Sequence, residues 1–396
     1  MKSAYLPKRG PAAPRFSLLS FGFVLCGMVT VLPGPLLPIL AAHWGLLDVQ
    51  SGAFFTALFG ASTVGSVFSP RRLRISLPSG YGVMTLGILL LAGAGATVEG
   101  PAGHALALAG FAAIGLGIGL SVTATNLTVG GDAGVSAPGE RARRLSLVHL
   151  WWGVGAVGCP WLLALVERAG HLLWLLAGLA AGTALVFGGL LPLVHGEERR
   201  PAEAETGASS EWPVLAFFAL FLFLYVGVET VVGGWITTYA HRFSGLTVER
   251  ASLMVSVYWL ALLGGRALGS MALRKVPERA VLLPGLGVGL TAAAIMITPH
   301  SGGVVLAAVT AAGAGFGPVF PIGVSRMLAR LRDHRKTGVV FAVCASGGAV
   351  LPWVTGLVST RTGSLRLGFA VPVGALVVIA ALALAENRLL RGATAK

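Results

Sequence analysis

Most of this chain consists of apolar blocks about twenty residues long, separated by short segments that carry charges and turn residues. About twenty residues of α-helix cross the hydrocarbon core of a bilayer, whereas a membrane β-strand would show about ten residues of alternating polarity. The blocks are continuously apolar and therefore predict transmembrane helices. Only 11% of the 396 residues are charged, against roughly 25% in soluble domains. This composition excludes a soluble enzyme, a disordered protein and a secreted disulfide scaffold.

Twelve spans result when the sequence is cut at its charges and turn residues. They are predicted at 17–42, 51–70, 77–97, 104–128, 145–166, 171–194, 212–239, 252–273, 280–298, 303–327, 338–358 and 366–385. The polar segment between the sixth and seventh spans has no apolar face and predicts a flexible linker. We therefore expect an N-terminal six-helix bundle over 1–194, a cytoplasmic linker over 195–211 and a C-terminal six-helix bundle over 212–396.

The basic residues predict the orientation of the chain. If the N-terminus is cytoplasmic, 23 of the 29 Lys and Arg residues fall in cytoplasmic segments and 5 fall in external loops, while Arg266 alone lies within a span. Such a bias places both termini on the cytoplasmic side of the membrane. The net charge of +14 then reflects topology and contact with anionic lipid, and no nucleic-acid partner is expected.

The two halves of the sequence repeat each other. Four groups of residues match in the same order at offsets of 192 to 204, which indicates an internal duplication. The matches are Gly27, Thr30, Val31 and Gly34 with Gly227, Thr230, Val231 and Gly234; Gly60, Gly65 and Ser66 with Gly264, Gly269 and Ser270; Gly115, Gly117 and Gly119 with Gly313, Gly315 and Gly317; and the run from Gly155 to Trp161 with that from Gly348 to Trp353.

A duplicated set of six spans around a linker resembles the major facilitator superfamily over the whole chain. Shorter motifs resemble its fucose-permease-like branch, which includes the sodium-dependent glucose transporters of animals. These motifs are Gly227–Ala240, His149–Ala156, Tyr258-Trp259 with Gly265-Arg266, Gly317–Pro321 and Gly347–Trp353. The chain departs from the family in the loop Ser69–Arg72, which lacks the usual Asp, and in the first span, which lacks the acidic residue linked to proton coupling in the fucose permease.

The resemblance implies an all-α membrane protein whose twelve transmembrane helices form two pseudo-symmetric six-helix bundles. It implies a secondary transporter that works by alternating access in the cytoplasmic (inner) membrane and imports a monosaccharide-like solute by symport with H+ or Na+. The alternatives are efflux of amphipathic drugs or metabolites by proton antiport and, more remotely, a sensor that transports nothing. The scarcity of amides favours the efflux alternative, because Asn126 is the only carboxamide inside a span and sugar hydroxyls need polar partners.

No cofactor or metal is expected, and the protein is not expected to be an enzyme. The glycine-rich runs follow no strand and precede no Lys-Ser/Thr, so they are not nucleotide loops, and the sequence has no spaced Cys/His motif and no nucleophile set. The expected partners are a small-molecule substrate, a coupling ion and membrane lipid. Nothing in the sequence requires more than a monomer.

Glu229 is the only acidic residue well within a span, and a buried carboxylate in a bilayer marks function by default. We expect it either to carry the coupling ion or to accept a hydrogen bond from a hydroxylated substrate. The structural alternative is a protonated side chain bonded to a backbone carbonyl. Arg266 lies more than about 10 Å lower by helical rise, so a direct ion pair with Glu229 is not expected. It is predicted to contact the substrate, or alternatively to act as a gate or cap.

The remaining binding candidates share helix faces or offer aromatic surfaces. The predicted substrate-binding residues are Thr123, Asn126, His149, Trp152, Glu229, Trp259, Arg266, Phe316, Phe320 and Trp353. The competing interpretation is that His149 is a packed histidine and that most aromatic residues, Trp235 and Tyr239 especially, are interfacial anchors.

Two glycine and proline clusters occupy equivalent places in the first and seventh spans. Pro33, Gly34 and Pro35 match Gly233 and Gly234 in position, and we expect broken hydrogen bonds there to let both helices bend during gating. The Gly-x-Gly-x-Gly runs of the fourth and tenth spans predict close helix packing.

Overall fold

The computed structural model describes residues 16–97, 100–130, 138–195, 212–298, 300–330 and 337–390. Within these ranges the chain forms fifteen α-helices and two short 3-10 turns. The helices are α1 Phe16–Val31, α2 Pro33–Trp44, α3 Asp48–Phe68, α4 Leu73–Thr97, α5 Gly100–Gly130, α6 Pro138–Arg168, α7 Leu172–Leu190, α8 Trp212–Phe243, α9 Val248–Ala272, α10 Glu278–Ile295, α11 Gly302–Phe316, α12 Val319–Leu328, α13 Thr337–Thr362, α14 Leu365–Gly368 and α15 Ala370–Leu390.

Eleven spans in the described ranges are long and apolar enough to cross a bilayer, and the bent pair α1–α2 brings the number to twelve. The tenth of the twelve runs over Gly302–Leu328 and is interrupted between α11 and α12 at Gly317 and Pro318. The predicted all-α fold with twelve spans is therefore confirmed. Residues 196–211 lie outside the described residues, so the linker boundaries stay a prediction.

The helices of each half pack in the same pattern. In the first half α1 contacts α6 and α7, α5 contacts α3 and α4, and α4 contacts α7. In the second half α8 contacts α13 and α15, α11 contacts α9 and α10, and α10 contacts α15. The equivalent helices thus make equivalent contacts, as a duplicated six-helix bundle requires.

Glycines bring the second and fourth spans of each half into backbone contact. A Cβ at Gly115 would lie 1.8 Å from the Leu58 carbonyl oxygen, and a Cβ at Gly313 would lie 2.5 Å from the Tyr258 carbonyl oxygen. No larger residue fits at either position without separating the helices. The prediction that the glycine-rich runs serve close packing is confirmed.

The two halves meet most tightly towards one end of the bundle, which we call the Asp48 end. Here α3 packs on α13, α2 packs on α8, and α6 packs on α9. The hydrogen bonds that cross between the halves include Val49 N to Thr360 Oγ1 at 3.0 Å, Thr56 Oγ1 to the Ala349 oxygen at 2.8 Å, and Ser256 Oγ to the Val157 oxygen at 2.8 Å. Towards the opposite end the same α3 and α13 carry exposed apolar side chains, Val67 and Val339 among them.

Two of the aromatic residues expected at the membrane interface, Trp235 and Tyr239, are buried instead. Trp235 and Tyr239 are each 0% exposed, so their interpretation as interfacial anchors is wrong. Trp235 Nε1 donates to the Pro352 carbonyl oxygen at 3.1 Å, and the ring lies where α8 meets the first half, 6.4 Å from the ring of Phe55. Tyr239 is covered within its own half by Phe243 and Phe369, with ring centroids 5.1 and 5.3 Å away. Sequence position placed both residues near a helix end but could not show which neighbouring helices cover them.

The two glycine and proline clusters behave differently. The first span bends by 43° between Val31 and Pro33, because proline has no N–H for the helical ladder and its ring displaces the preceding turn. α8 runs without interruption through Gly233 and Gly234, so the expected break there is wrong. These glycines serve close approach instead: a Cβ at Gly34 would lie 2.9 Å from the Gly233 oxygen.

Candidate functional site

A cavity of about 100 Å³ lies between the two halves. Helices α1, α3 and α6 supply its walls from the first half, and α8 and α9 supply them from the second. The residues that line it are Thr30, Val31, Phe55, Phe59, Trp152, Val226, Glu229, Thr230, Gly233, Gly234 and Trp259. A mostly apolar pocket with a few convergent polar groups at the boundary of two domains is the usual form of a small-molecule site.

Two threonines from the internal repeat face this cavity from opposite halves. Thr30 Oγ1 donates to the Cys26 carbonyl oxygen at 2.6 Å, and Thr230 Oγ1 donates to the Val226 carbonyl oxygen at 2.7 Å. Each hydroxyl therefore donates its proton to a carbonyl oxygen of its own helix, and its lone pairs remain available to accept a hydrogen bond. The cavity thus receives an equivalent hydrogen-bond acceptor from each half.

Two tryptophans bridge the halves at the wall of the cavity. Trp152 on α6 and Trp259 on α9 meet edge to face, with ring centroids 5.5 Å apart and planes at 81°. Gly233 makes room beside the pair, since a Cβ there would lie 3.1 Å from Cε1 of Tyr258 and 3.4 Å from Cζ2 of Trp259. Each ring offers the cavity an apolar aromatic surface of the kind on which a sugar ring or another planar solute can stack.

Glu229 lines the cavity and belongs to a hydrogen-bonded cluster with Tyr225 and Tyr258. The Tyr225 hydroxyl lies 2.5 Å from Glu229 Oε2 and 2.9 Å from the carbonyl oxygen of Phe316. The Tyr258 hydroxyl donates to the backbone oxygen of Glu229 at 3.2 Å. Because Phe316 is the last residue of α11, this cluster connects the carboxyl group to the interruption of the tenth span.

One proton on the Tyr225 hydroxyl cannot serve two acceptors at full strength. When Glu229 is ionised, the hydroxyl donates to the carboxylate, which is the stronger acceptor. When Glu229 is protonated, it can donate to the hydroxyl oxygen instead, and the hydroxyl proton is free for the Phe316 carbonyl. The Tyr225 hydroxyl is therefore shared between the Glu229 carboxyl group and the Phe316 carbonyl oxygen.

Arg266 contacts Glu229 directly, which corrects the sequence expectation. Its Nη2 lies 3.7 Å from Glu229 Oε2. The expectation compared heights of Cα atoms along two ideal helices and left out the length of the arginine side chain, which extends well beyond its own helical turn. The Nε atom of Arg266 is buried and has no hydrogen-bond partner.

The structure brings part of the predicted set together. Trp152, Glu229 and Trp259 line the cavity, as do the predicted gating residues Gly233 and Gly234. Three other predicted residues surround the Glu229 cluster without lining the cavity: Arg266 pairs with the carboxylate, and Phe316 and Phe320 pack on Tyr225 with ring centroids 6.3 and 6.1 Å from it.

The other predicted residues do not line the cavity. His149 lies one turn from Trp152 and close enough to Arg266 for their charges to interact, and its ring meets Phe23 edge to face at 5.7 Å. Leu120 of α5 accepts a hydrogen bond from Ser69, which follows the last residue of α3. Thr123 and Asn126 come after Leu120 on α5 and therefore lie towards the end of the bundle opposite the Asp48 end. The Oδ1 atom of Asn126 is buried without a partner.

Trp353, Pro33, Gly34 and Pro35 lie at the contact between the halves instead. Trp353 packs against Gly52 of α3, where a Cβ would lie 2.9 Å from its Cα. Pro33, Gly34 and Pro35 are buried at the start of α2. Since α2 packs on α8, these residues are placed to affect closure of the Asp48 end, and their gating role stays a prediction.

An ion pair that the sequence analysis missed closes the Asp48 end. Arg242 Nη1 and Nη2 donate to the two carboxylate oxygens of Asp48 at 2.8 and 2.7 Å, and Ser359 donates to Asp48 Oδ2. Asp48 begins α3 and Arg242 lies in the last turn of α8, so one bidentate contact joins the halves. No sequence signal links residues 194 positions apart, although an acidic residue in a first helical turn is a recognisable start signal.

Tyr225 could have been found from the sequence. It lies four residues before Glu229 and therefore on the same helix face. The repeat match of Thr30 with Thr230 also pointed at the cavity, because it was a polar match inside two otherwise apolar spans. In the part of the chain that the structure describes, no group of three or more His, Cys, Asp or Glu side chains could hold a metal ion.

Comparison with known proteins gives consistent matches. The sequence profile of the Major Facilitator Superfamily matches residues 19–337. A glucose/galactose transporter of Brucella abortus biovar 1 (strain 9-941) is 25% identical over 380 residues, which is 90% of each chain. A putative glucose/galactose transporter of Helicobacter pylori (strain J99) is 27% identical over 384 residues, which is 89% of this chain and 91% of that one.

A solved structure agrees in fold. The crystal structure of the E. coli fucose:proton symporter superposes with a TM-score of 0.61 at 20% identity, covering 93% of this chain and 97% of the symporter. The symporter thus shares the fold of this chain, and the glucose/galactose transporters are similar to it over most of its length.

Proposed function

Because the chain belongs to the major facilitator superfamily, we propose that it imports a neutral monosaccharide by proton symport and alternating access. The observation that carries this proposal is the cavity between the halves, with two tryptophans, two acceptor threonines and one carboxyl group in its wall. The names of its relatives, glucose/galactose transporters at 25 and 27% identity, support a hexose as the substrate class.

The chemistry of the cavity suits an uncharged polyol. Thr30, Thr230 and Glu229 present acceptors for hydroxyl groups, and the tryptophan pair presents an apolar surface for the C–H face of a sugar ring. The Arg266 guanidinium already has the Glu229 carboxylate as its partner in this structure, so it is not left unpaired for a sugar phosphate or a carboxylic acid.

The positive-inside bias defines the direction in which the cavity opens. It places both termini in the cytoplasm and the Asp48 end outside. The tight contacts at that end, including the Asp48–Arg242 pair, then close the external path. We infer an inward-facing conformation of a monomer in the cytoplasmic membrane, with its lipid-facing surface formed by exposed residues such as Leu185 and Leu268, which are 62 and 66% exposed.

The geometry around Glu229 favours a proton over Na+ as the coupling ion. A bound Na+ would share the carboxylate with a guanidinium whose nitrogen lies 3.7 Å away, and the two cations repel each other. A proton needs only the carboxylate. Its binding weakens the attraction to Arg266 and turns the Tyr225 hydroxyl towards Phe316, at the interruption of the tenth span.

Movement between the two states requires the Asp48 end to separate. The segment Pro33–Pro35 of α2 faces Gly233 and Gly234 of α8. Because glycine has no side chain, the two backbones can come into close contact here and separate again. The rocking units are the six-helix bundles expected over 1–194 and 212–396, with 195–211 as the cytoplasmic connection.

Efflux of amphipathic compounds is the second candidate, and the apolar lining residues such as Phe55 and Phe59 favour it. The names of the relatives, which are glucose/galactose transporters, favour sugar import over it.

Counterflow in proteoliposomes tests the proposal. Liposomes preloaded with glucose or galactose should take up the labelled sugar against its total gradient, and an inward proton gradient should drive net accumulation. A gradient of Na+ without one of protons should not. Absence of counterflow with every neutral hexose, or accumulation driven by Na+ alone, would contradict the substrate class or the coupling ion respectively.

A further inference from the structure

The indole N–H of Trp259 is buried in the cavity wall and has no hydrogen-bond partner. The residue is 7% exposed, its Nε1 atom is inaccessible and unpaired, and the side chain lines the cavity. A buried donor without an acceptor is unfavourable, and Trp N–H groups normally find one when buried. The fold therefore leaves one directed donor unused at the site.

The neighbouring helix shows what a structural tryptophan looks like in this protein. Trp235 is also buried at the boundary between the halves, and its Nε1 donates to the Pro352 carbonyl oxygen at 3.1 Å. Trp259 receives no such acceptor, although its ring is fixed by Trp152 at 5.5 Å and by Tyr258 at 5.4 Å. Its ring is thus held in place beside the cavity while its N–H has no acceptor within the part of the protein that the structure describes.

The polar groups that share the cavity with Trp259 are acceptors. Thr30 and Thr230 have committed their protons to their own helices, and Glu229 accepts hydrogen bonds when ionised. A sugar hydroxyl can donate to each of these groups. A hydroxyl or ring oxygen that must accept a hydrogen bond needs a donor, and Trp259 Nε1 supplies one.

We propose that Trp259 determines substrate specificity by donating its indole N–H to one oxygen of the bound sugar. This inference rests on the proposed function, because it assigns a role within the same cavity. A site built around a buried donor rejects an analogue that lacks the matching oxygen, since the donor then stays unpaired in the complex. Trp259 thereby selects the sugar at one ring position, while the acceptors and the aromatic surface bind hydroxylated rings in general.

The test is a series of monodeoxy analogues of the transported hexose, used as competitors of its counterflow. In the wild type, removal of one particular oxygen should weaken binding about tenfold, the effect of one hydrogen bond. In Trp259→Phe the affinity for the parent sugar should fall by a similar factor. The affinity for the analogue that lacks this oxygen should be the same as in the wild type. The loss should be confined to that position.

Trp235→Phe is the matched control, because it makes the same chemical change at a buried tryptophan that does not line the cavity. It should leave the pattern across the analogues unchanged. A second measurement uses the wild type labelled with ¹⁵N-tryptophan: one indole N–H resonance, assigned by its absence in Trp259→Phe or Trp259→Tyr, should shift with the parent sugar and not with the critical analogue.

The experiments distinguish failure of the proposed function from failure of the role proposed for Trp259. If the wild type shows no counterflow with any neutral hexose, the proposed function is wrong. If the wild type transports a hexose but Trp259→Phe weakens every analogue equally or none, or no indole resonance responds selectively, the function stands and the role of Trp259 is overturned.

Discussion

Asp48 and Arg242 form a bidentate ion pair that joins the two halves of the transporter at one end, with N–O distances of 2.7 and 2.8 Å. The carboxylate is 8% exposed while the guanidinium is 37% exposed. Asp48 also accepts a hydrogen bond from Ser359. Residues of three helices, α3, α8 and α13, therefore meet at one carboxylate. The contacts that Arg242 and Ser359 make with it form only while this end is closed.

Removing that carboxylate should shift the protein towards the outward-open state. Asp48→Asn keeps the shape of the side chain but removes the charge that binds Arg242, so the closed form loses a charge-assisted contact worth about 1.5–3 kcal/mol. Distances between spin labels in the α2–α3 and α8–α9 turns should lengthen in a larger fraction of molecules. The native cysteines, Cys26, Cys159 and Cys344, are buried. A spin label should therefore react selectively with cysteines introduced into the turns.

The exchanged pair is the control for this prediction. Asp48→Arg with Arg242→Asp restores opposite charges and should recover part of the short-distance population, whereas either reversal alone should not. An unchanged distance distribution in Asp48→Asn would contradict the role of the pair in closure.

Glu229→Gln should abolish proton-driven accumulation and leave counterflow largely intact. The amide cannot take up a proton, so the driving force has no route into the cycle, while exchange needs only binding and movement. The measurement is sugar accumulation under an imposed pH gradient against counterflow without one. Glu278→Gln is the matched control, because Glu278 pairs with Arg326 outside the cavity. Accumulation by Glu229→Gln at the wild-type level would remove Glu229 from the coupling mechanism.

Tyr225→Phe should weaken coupling without preventing transport. The variant loses the hydroxyl that reaches both Glu229 and the Phe316 carbonyl, so protonation no longer acts on the interruption of the tenth span. We expect driven accumulation to fall about tenfold, the effect of one hydrogen bond to a charged group, with counterflow nearly unchanged. Tyr239→Phe, which removes a hydroxyl bonded to the Thr298 oxygen, should leave the ratio of accumulation to counterflow unaltered.

The acceptor role of the paired threonines predicts graded losses of affinity. Thr30→Val and Thr230→Val keep the side-chain shape and remove one acceptor each from the cavity, so each should weaken sugar binding about three- to tenfold. The double variant should weaken it further. Thr310→Val is the control, because Thr310 makes the same bond to the carbonyl four residues earlier but lies on α11 and does not line the cavity. Competition of labelled-sugar counterflow measures all four proteins, and unchanged affinity in both single variants would argue against the predicted role.

Features of the fold and of the site were predictable from the sequence where their physical cause lies within one helix. Periodicity and composition gave twelve spans and the bend at Pro33, because length, hydropathy and a missing N–H act within one helix. Glu229, Trp152 and Trp259 were predictable as unusual residues inside apolar spans. The Glu229–Arg266 contact and the burial of Trp235 were not, because both depend on how separate helices lie against each other. Continuity of α8 through Gly233 also needed the structure, since glycine permits a bend without requiring one.

The contact of α2 with α8 gives a last prediction about closure. A Cβ at Gly34 would lie 2.9 Å from the Gly233 oxygen and 3.2 Å from Gly234 Cα, so Gly34→Ala should hold the halves apart at the Asp48 end. We expect slower maximal uptake, by about tenfold or more, and longer spin-label distances across that end, with the fold retained. Gly60→Ala is the matched control, because a Cβ at Gly60 meets nothing within 4 Å; it should transport at the wild-type rate. If Gly34→Ala did so too, close backbone contact there would not be required for the transport cycle.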